Sequence, residues 1–239
     1  MRLFFFLKMA KLLFLETATQ ICSVALAEDG VLLSIKESDS TNSHSSLLTN
    51  FIQNVVSDAK IKLQDLDAIV ISKGPGSYTG LRIGVSAAKG LCYSLDKPLI
   101  AVNTLQSMAM GMKKNENDSK AIFCPMIDAR RMEVYTALFD NQNNELEPTS
   151  AKIIDESSFI DLLKDHTVYF GGDGAEKCKS VLSKNQNAKF MDEFRISAKD
   201  MIKIAFQKFN AGQFVDVAYF EPYYLKDFIA GIPKVKGLK

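Results

Sequence analysis

Residues 73–90, KGPGSYTGLRIGVSAAKG, follow directly on the apolar run DAIVIS at 67–72. A short β-branched run, a glycine-rich loop and a small-residue segment at helical spacing describe one unit: strand, loop, helix. A strand that is apolar throughout must be covered on both faces, which places the unit in a layered α/β fold. Gly74, Gly76 and Gly80 permit left-handed backbone or close approach, and Pro75 restricts its own φ. The loop has two readings. As a phosphate cradle it presents backbone N–H groups at the helix start. As a structural turn it packs against a neighbouring strand. The spacing fits neither GxxxxGK[ST] nor a well-placed GxGxxG, and Lys73 precedes the loop instead of following it. The helix that follows is poor in bulk, with Gly80, Gly84, Ala87, Ala88 and Gly90. Glycine inside a helix costs about 1 kcal/mol relative to alanine, so close packing is needed to justify it. That packing is either within the chain's own core or against a partner subunit, together with a helix at 44–59.

The rest of the chain repeats an order. LLFLE (12–16), ICSVALA (21–27) and VLLSIKE form three strands, the last two joined by the turn Glu28-Asp29-Gly30. A helix capped by Asn42 or Ser43 follows, with Leu47, Leu48, Phe51, Ile52, Val55 and Val56 on one stripe. DAIVIS, the helix to Leu95, the strand LIAV and the helix NTLQSMAMGM complete the first half. In the second half AIFCPMID, EVYTALFD and AKIID are strands, SSFIDLLKD a helix, TVYFGG a strand, and a helix begins at Gly174. Strand, strand, strand, helix, strand, helix therefore occurs twice. SAKDMIKIAFQKFNAG adds a further amphipathic helix. The expected organisation is an N-terminal extension at 1–8, with Met9 as the start, and an N-terminal lobe at 9–112. A connection at 113–119, a C-terminal lobe at 120–225 and a basic tail at 226–239 follow.

Composition narrows the function. With 29 basic and 28 acidic residues the formal net charge is +1, so no global field draws in nucleic acid. Any RNA contact must be local or come through a partner; the tail lysines Lys226, Lys234, Lys236 and Lys239 are one candidate. Cys22, Cys92, Cys124 and Cys178 are far apart, which points to reduced thiols in a cytoplasmic protein. The apolar start is broken by Lys8 and Lys11 and is shorter than the roughly 20 residues a membrane span needs, so no membrane association is expected. His44 and His166 are the only histidines, so no HxxxH or HExxH pair exists and no metal site is expected. Two turns carry side chains that could do chemistry. In the first, Glu16, Thr17 and Thr19 could hold a phosphate or a metal-bound water, or form a polar hairpin. In the second, Asp128-Ala129-Arg130-Arg131-Met132-Glu133 could be a salt-bridge staple or a charged site.

LETATQICSVAL, SKGPGSYTGLRIGVSAAKGL, PLIAVNTLQSMA and IDARRMEVY resemble the TsaB (formerly YeaZ) family. These are non-catalytic subunits of the bacterial tRNA threonylcarbamoyladenosine machinery. The resemblance runs from about Leu12 to Tyr135, and Glu221-Pro222-Tyr223-Tyr224-Leu225 resembles the family's closing motif. It implies an α/β actin-like, sugar-kinase-like ATPase fold, with two lobes each holding a mixed sheet flanked by helices. It also implies a scaffold that pairs with the catalytic subunit TsaD, joined by the P-loop ATPase TsaE, and that forms a homodimer in isolation. TsaD transfers a threonylcarbamoyl group to N6 of the adenosine beside the anticodon, so tRNA is met indirectly, through the complex. TsaD holds its metal with an HxxxH pair, which this chain lacks. The resemblance implies no catalytic residue and no tightly bound cofactor here, with ATP or ADP only within the complex. The implied partner face comprises His44, Leu47, Leu48, Phe51, Val55, Tyr78, Thr79, Arg82, Gly84, Ala87, Ala88 and Leu91. Near any nucleotide would lie Glu16, Thr17, Thr19, Gly74, Gly76, Asp128 and Arg130. Two departures are visible: Glu16 stands where many relatives have aspartate, and the turn from Thr17 to Gln20 lacks the glycine usual in actin-like phosphate turns. The alternative function is a small-molecule kinase or ATPase of the same fold.

Overall fold

A computed structural model describes residues 9–39, 44–113 and 120–226. The extension at 1–8, the cap at Asn42 or Ser43, most of the 113–119 connection and all of the tail beyond Lys226 lie outside the described residues.

The first half folds as β1 (Lys11–Glu16), β2 (Cys22–Glu28), β3 (Val31–Ser38), α1 (His44–Asp58), β4 (Ala68–Ser72), α2 (Tyr78–Leu95), β5 (Leu99–Val102) and α3 (Thr104–Lys113). The second repeats it as β6 (Ile122–Asp128), β7 (Glu133–Phe139), β8 (Glu145–Ile153), α4 (Ile160–Asp165), β9 (Val168–Gly171), α5 (Ala175–Leu182) and β10 (Ala188–Met191). A 3-10 turn (Ala198–Met201) then leads into α6 (Ile202–Asn210). Each half builds one five-stranded sheet, in the orders β3-β2-β1-β4-β5 and β8-β7-β6-β9-β10. In both, the first strand is central: it pairs antiparallel with the second and parallel with the fourth. This is the two-lobed α/β architecture that the doubled element order implies. The strand β10 was not legible in the sequence, because Ala188–Met191 is short and only half apolar.

Central strands are apolar on every residue because they are buried on both faces. Along β1, Leu13 and Leu15 join a core under α1 and α2, while Leu12 and Phe14 face the opposite side of the sheet. That opposite side is closed by α6, whose Phe206 ring centroid lies 6.4 Å from that of Phe14. Full burial of such a side chain is worth about 2–3 kcal/mol. Reciprocally, α3 packs through Leu105, Met108 and Met112 against Phe123, Ile127 and Phe139 of the second sheet. Each lobe lends its last helix to its neighbour, because each sheet has a second apolar face that its own helices cannot reach. Beyond α6 the chain first runs along the first lobe, where Val215 N donates to Leu99 O at 2.9 Å. No helix among the described residues is long and apolar enough to cross a membrane.

Candidate functional site

The glycine loop sits on the turn between β1 and β2. Ser77 N donates to Ala18 O at 2.6 Å, and Ser77 Oγ caps α2 by accepting from Gly80 N at 3.2 Å. A Cβ at Gly76 would overlap the Ala18 carbonyl, one at Gly80 the Thr17 carbonyl, and one at Gly84 the Thr17 hydroxyl. Gly80 and Gly84, four residues apart, share one face of α2, and with Gly76 just ahead of the Ser77 cap they press along the turn. Gly74 adopts φ +107°, and a Cβ there would lie 2.7 Å from Tyr223 O. Between the two readings of the loop, the described geometry is that of close packing on the chain's own turn. Gly90 has open space around it, and no contact accounts for it.

This packing seals the first turn. Glu16 and Thr17 are wholly inaccessible to solvent, and Thr19 is buried. Glu16 Oε1 accepts from Ala18 N at 2.7 Å, whereas Glu16 Oε2 and Thr17 Oγ1 have no hydrogen-bond partner among the described residues. Burial pushes the Glu16 carboxyl up to about 7, against the pull of the Ala18 amide. Behind it, Ser72 Oγ and Thr104 Oγ1 lie 2.7 Å apart, and Thr104 Oγ1 accepts from Gly74 N at 3.0 Å. Glu16 and Thr17, expected near a nucleotide, therefore have no surface to offer one.

The equivalent turn of the second lobe is open. Asp128 and Arg130 are exposed. Asp128 Oδ1 accepts from Arg130 N at 2.9 Å and pairs with the Lys177 ammonium; Asp128 N donates to Asp173 Oδ1 at 3.1 Å. Partial burial pushes the Asp128 carboxyl up, but the Lys177 hydrogen bond, the Arg130 amide and the two nearby cations together hold it below its ordinary value. Asp173 moves the other way, raised chiefly by burial. Asp173 and Lys177 were missed in the sequence. The signal was there: Gly171-Gly172-Asp173-Gly174 follows β9 as the glycine loop follows β4, and Cβ atoms at Gly172 and Gly174 would crowd Met126 and Ile127.

The residues expected to meet a partner divide into two sets. Leu48, Val55, Gly84 and Ala88 turn inward to the core under α1 and α2 and present no outer surface, which corrects the expectation of a small-residue meeting face. Leu47, Phe51, Ala87 and Leu91 are half-buried beside that core, one helical step outward. Thr79 and Arg82 are exposed, and His44 Nε2 lies 3.3 Å from Ile21 O. Arg82 stacks over Tyr78, 4.1 Å from the ring centroid, and its Nε donates to Tyr224 Oη at 3.3 Å. Tyr78 and Tyr224 are themselves 4.9 Å apart between centroids. The closing segment EPYYL thus straps the glycine loop, with Tyr223 N donating to Lys73 O at 2.7 Å. Lys226 continues across to pair with Glu133 of the second lobe. The cleft between the strap, the glycine loop and the second turn has a volume of about 1100 Å³.

Among the described residues no group of three or more His, Cys, Asp or Glu side chains is arranged to hold a metal ion. All four cysteines are free and buried; burial raises the Cys124 thiol to about 12.

A family model described as "TsaD: tRNA N6-adenosine threonylcarbamoyltransferase" matches residues 34–233. The tRNA threonylcarbamoyladenosine biosynthesis protein TsaB of Escherichia coli (strain K12) is 30% identical over 230 residues, covering 92% of this chain and 96% of that protein. TsaB of Bacillus subtilis (strain 168) is 35% identical over 136 residues, 57% of this chain. A crystal structure of a Pseudomonas aeruginosa protein with similarity to peptidase YEAZ superposes with a TM-score of 0.80 at 24% identity, covering 91% of this chain and all of that one, a likeness of fold. The end-to-end match to the Escherichia coli relative, at 30% identity, places the chain in the TsaB (YeaZ) family.

Proposed function

We propose that this protein acts in the biosynthesis of tRNA threonylcarbamoyladenosine as the non-catalytic partner of a TsaD-type transferase. It pairs through the outer face of α1 and α2, with a TsaE-type ATPase joining the assembly, and self-associates through the same face when alone. The seal over Glu16 carries the reading. Glu16, the strand-end carboxylate of the first lobe, is wholly buried, and three glycines press the helix onto its turn. The names of the curated relatives support the pathway. The half-buried row Leu47, Phe51, Ile83, Ala87 and Leu91 supports the face, since such side chains are ready to finish their burial against a partner.

A reconstituted transfer reaction with tRNA and a TsaD-type subunit tests both parts. Glu16→Gln should leave turnover unchanged, and a hundredfold loss would overturn the non-catalytic role. Ala87→Glu and Leu91→Glu should abolish co-purification with the transferase while the chain stays folded. Retained complex at native affinity would refute the face. Calorimetry with ATP and Mg²⁺ tests the kinase alternative; micromolar binding with turnover by the isolated chain would favour it.

A further inference from the structure

Two clefts meet the paired turns, and they differ in charge. The smaller, about 480 Å³, is lined by Asp39, Asp128, Asp173, Glu176 and Asp192 against the single cation Arg195. The larger, about 1100 Å³, is lined by the cations Arg130, Arg131 and Lys226 and by the carboxylates Asp128, Glu133 and Asp173. Because the whole chain carries a net charge of +1, this asymmetry is local. Of the larger cleft's three carboxylates, Asp128 pairs with Lys177, Glu133 with the cleft's own Lys226, and Asp173 accepts from Asp128 N, which leaves Arg130 and Arg131 as the cations not committed to an ion pair among the described residues. Arg130 and Arg131 are both exposed, and neither guanidinium makes an ion pair or hydrogen bond among the described residues. Their backbones are left-handed, with φ 73° and 51°. That costs about 1–2 kcal/mol for each non-glycine residue, and a hairpin needing only this geometry is served by Asn-Gly. The turn therefore bears strain while bringing two arginines with uncommitted guanidiniums to the lining of one cleft. On the facing lobe the cleft is walled by tyrosines: Tyr223, which is 38% exposed, and Tyr78 and Tyr224, whose rings meet at a tilt of 37°.

We propose that the larger cleft binds a single-stranded or loop segment of RNA directly, its phosphates on Arg130 and Arg131 and its bases against the tyrosine wall. Guanidinium–phosphate contacts and stacking on aromatic rings are the two interactions by which proteins hold single strands. An acidic protein segment would meet the same arginines but supplies no planar rows for the tyrosines. The choice of RNA rests on the reading that the chain serves tRNA modification.

The test is fluorescence anisotropy of an unmodified tRNA transcript with the full chain over a salt series. The double variant Arg130→Gln/Arg131→Gln should bind about tenfold more weakly, its log–log salt slope reduced by about 1.4, two contacts at roughly 0.7 each. Arg130→Lys/Arg131→Lys should keep most of that slope, and Tyr223→Leu should weaken binding about fivefold with the slope unchanged. Melting temperatures confirm that each variant is folded. The proposal is overturned by absence of binding in the wild-type chain, by equal affinity and slope in the glutamine variant, or by displacement with polyglutamate at equal charge. The last result would assign the cleft to an acidic protein. These variants leave the outer face of α1 and α2 intact, so co-purification with the transferase reports separately. Unaltered RNA binding in the glutamine variant, or none in the wild type, with the complex retained sinks only this inference, while a wild-type chain that fails to co-purify sinks the scaffold reading.

Discussion

The turn after β1 and the turn after β6 hold the same place in two lobes of the same topology, yet one is sealed and the other open. At the first, Gly76, Gly80 and Gly84 let α2 close on Thr17 and Ala18, and Glu16 is left in the dark with one oxygen unpartnered. At the second, Gly172 and Gly174 press on the strand end itself, so the turn beyond it projects into solvent with Asp128, Arg130 and Arg131. One device, a glycine loop after the fourth strand, gives opposite electrostatics according to where its glycines land. A buried carboxyl drifts toward neutrality, whereas an exposed carboxyl beside cations stays ionised.

The largest effect should come from breaking the seal. Gly80→Ala drives a Cβ into the Thr17 backbone carbonyl, which cannot move aside, and should cost about 3 kcal/mol or more in urea unfolding. Gly90→Ala, in open space on the same helix, should instead gain about 1 kcal/mol. Similar costs at both positions would mean that packing on the turn is not what the glycines serve.

Next comes pH. An exposed glutamate in the unfolded chain ionises near 4.5, but Glu16 in the folded chain ionises near about 7. Between those values the folded state holds the extra proton, so this contribution is complete below the lower value, falls as pH rises and is gone above the upper one. The full span is worth about 3 kcal/mol. Glu16→Gln should flatten this decline and be more stable than wild type at pH 8. An unchanged pH profile of unfolding would show that Glu16 is not the group responsible.

The open turn should respond weakly and with the opposite sign. Asp128 is held below its ordinary value, so its contribution is present above pH 3.8 and is lost as pH falls through the lowered value. Lys177→Ala should remove about 0.5 kcal/mol near neutral pH and nothing once Asp128 is protonated. The smallest change should be Tyr224→Phe, which removes only the exposed Arg82 hydrogen bond, again about 0.5 kcal/mol or less, read as a shift in melting temperature.

Much of this was written in the linear chain. Short unbroken apolar runs located β1, β4 and β5, and period-3.6 spacing located α1 and α2, within a residue or two, because strands buried on both faces are apolar throughout and helices bury one stripe. The glycine loop stood out from its spacing, and so did the two strand-end turns. Local pattern cannot say which sheet an amphipathic helix will cover. α3 and α6 each read as the close of their own half, yet each crosses to the other lobe, where an apolar sheet face lies uncovered. The same limit applies to Gly84 and Ala88: a small-residue stripe announces a close neighbour without naming it, and the neighbour is Thr17 of the same chain. Sequence by itself determined the duplicated element order and the need for close packing after β4, since both follow from periodicity and from the cost of glycine in a helix. Only tertiary structure decided that Glu16 is sealed while Arg130 and Arg131 stand free, because burial and charge pairing depend on residues far away in the chain.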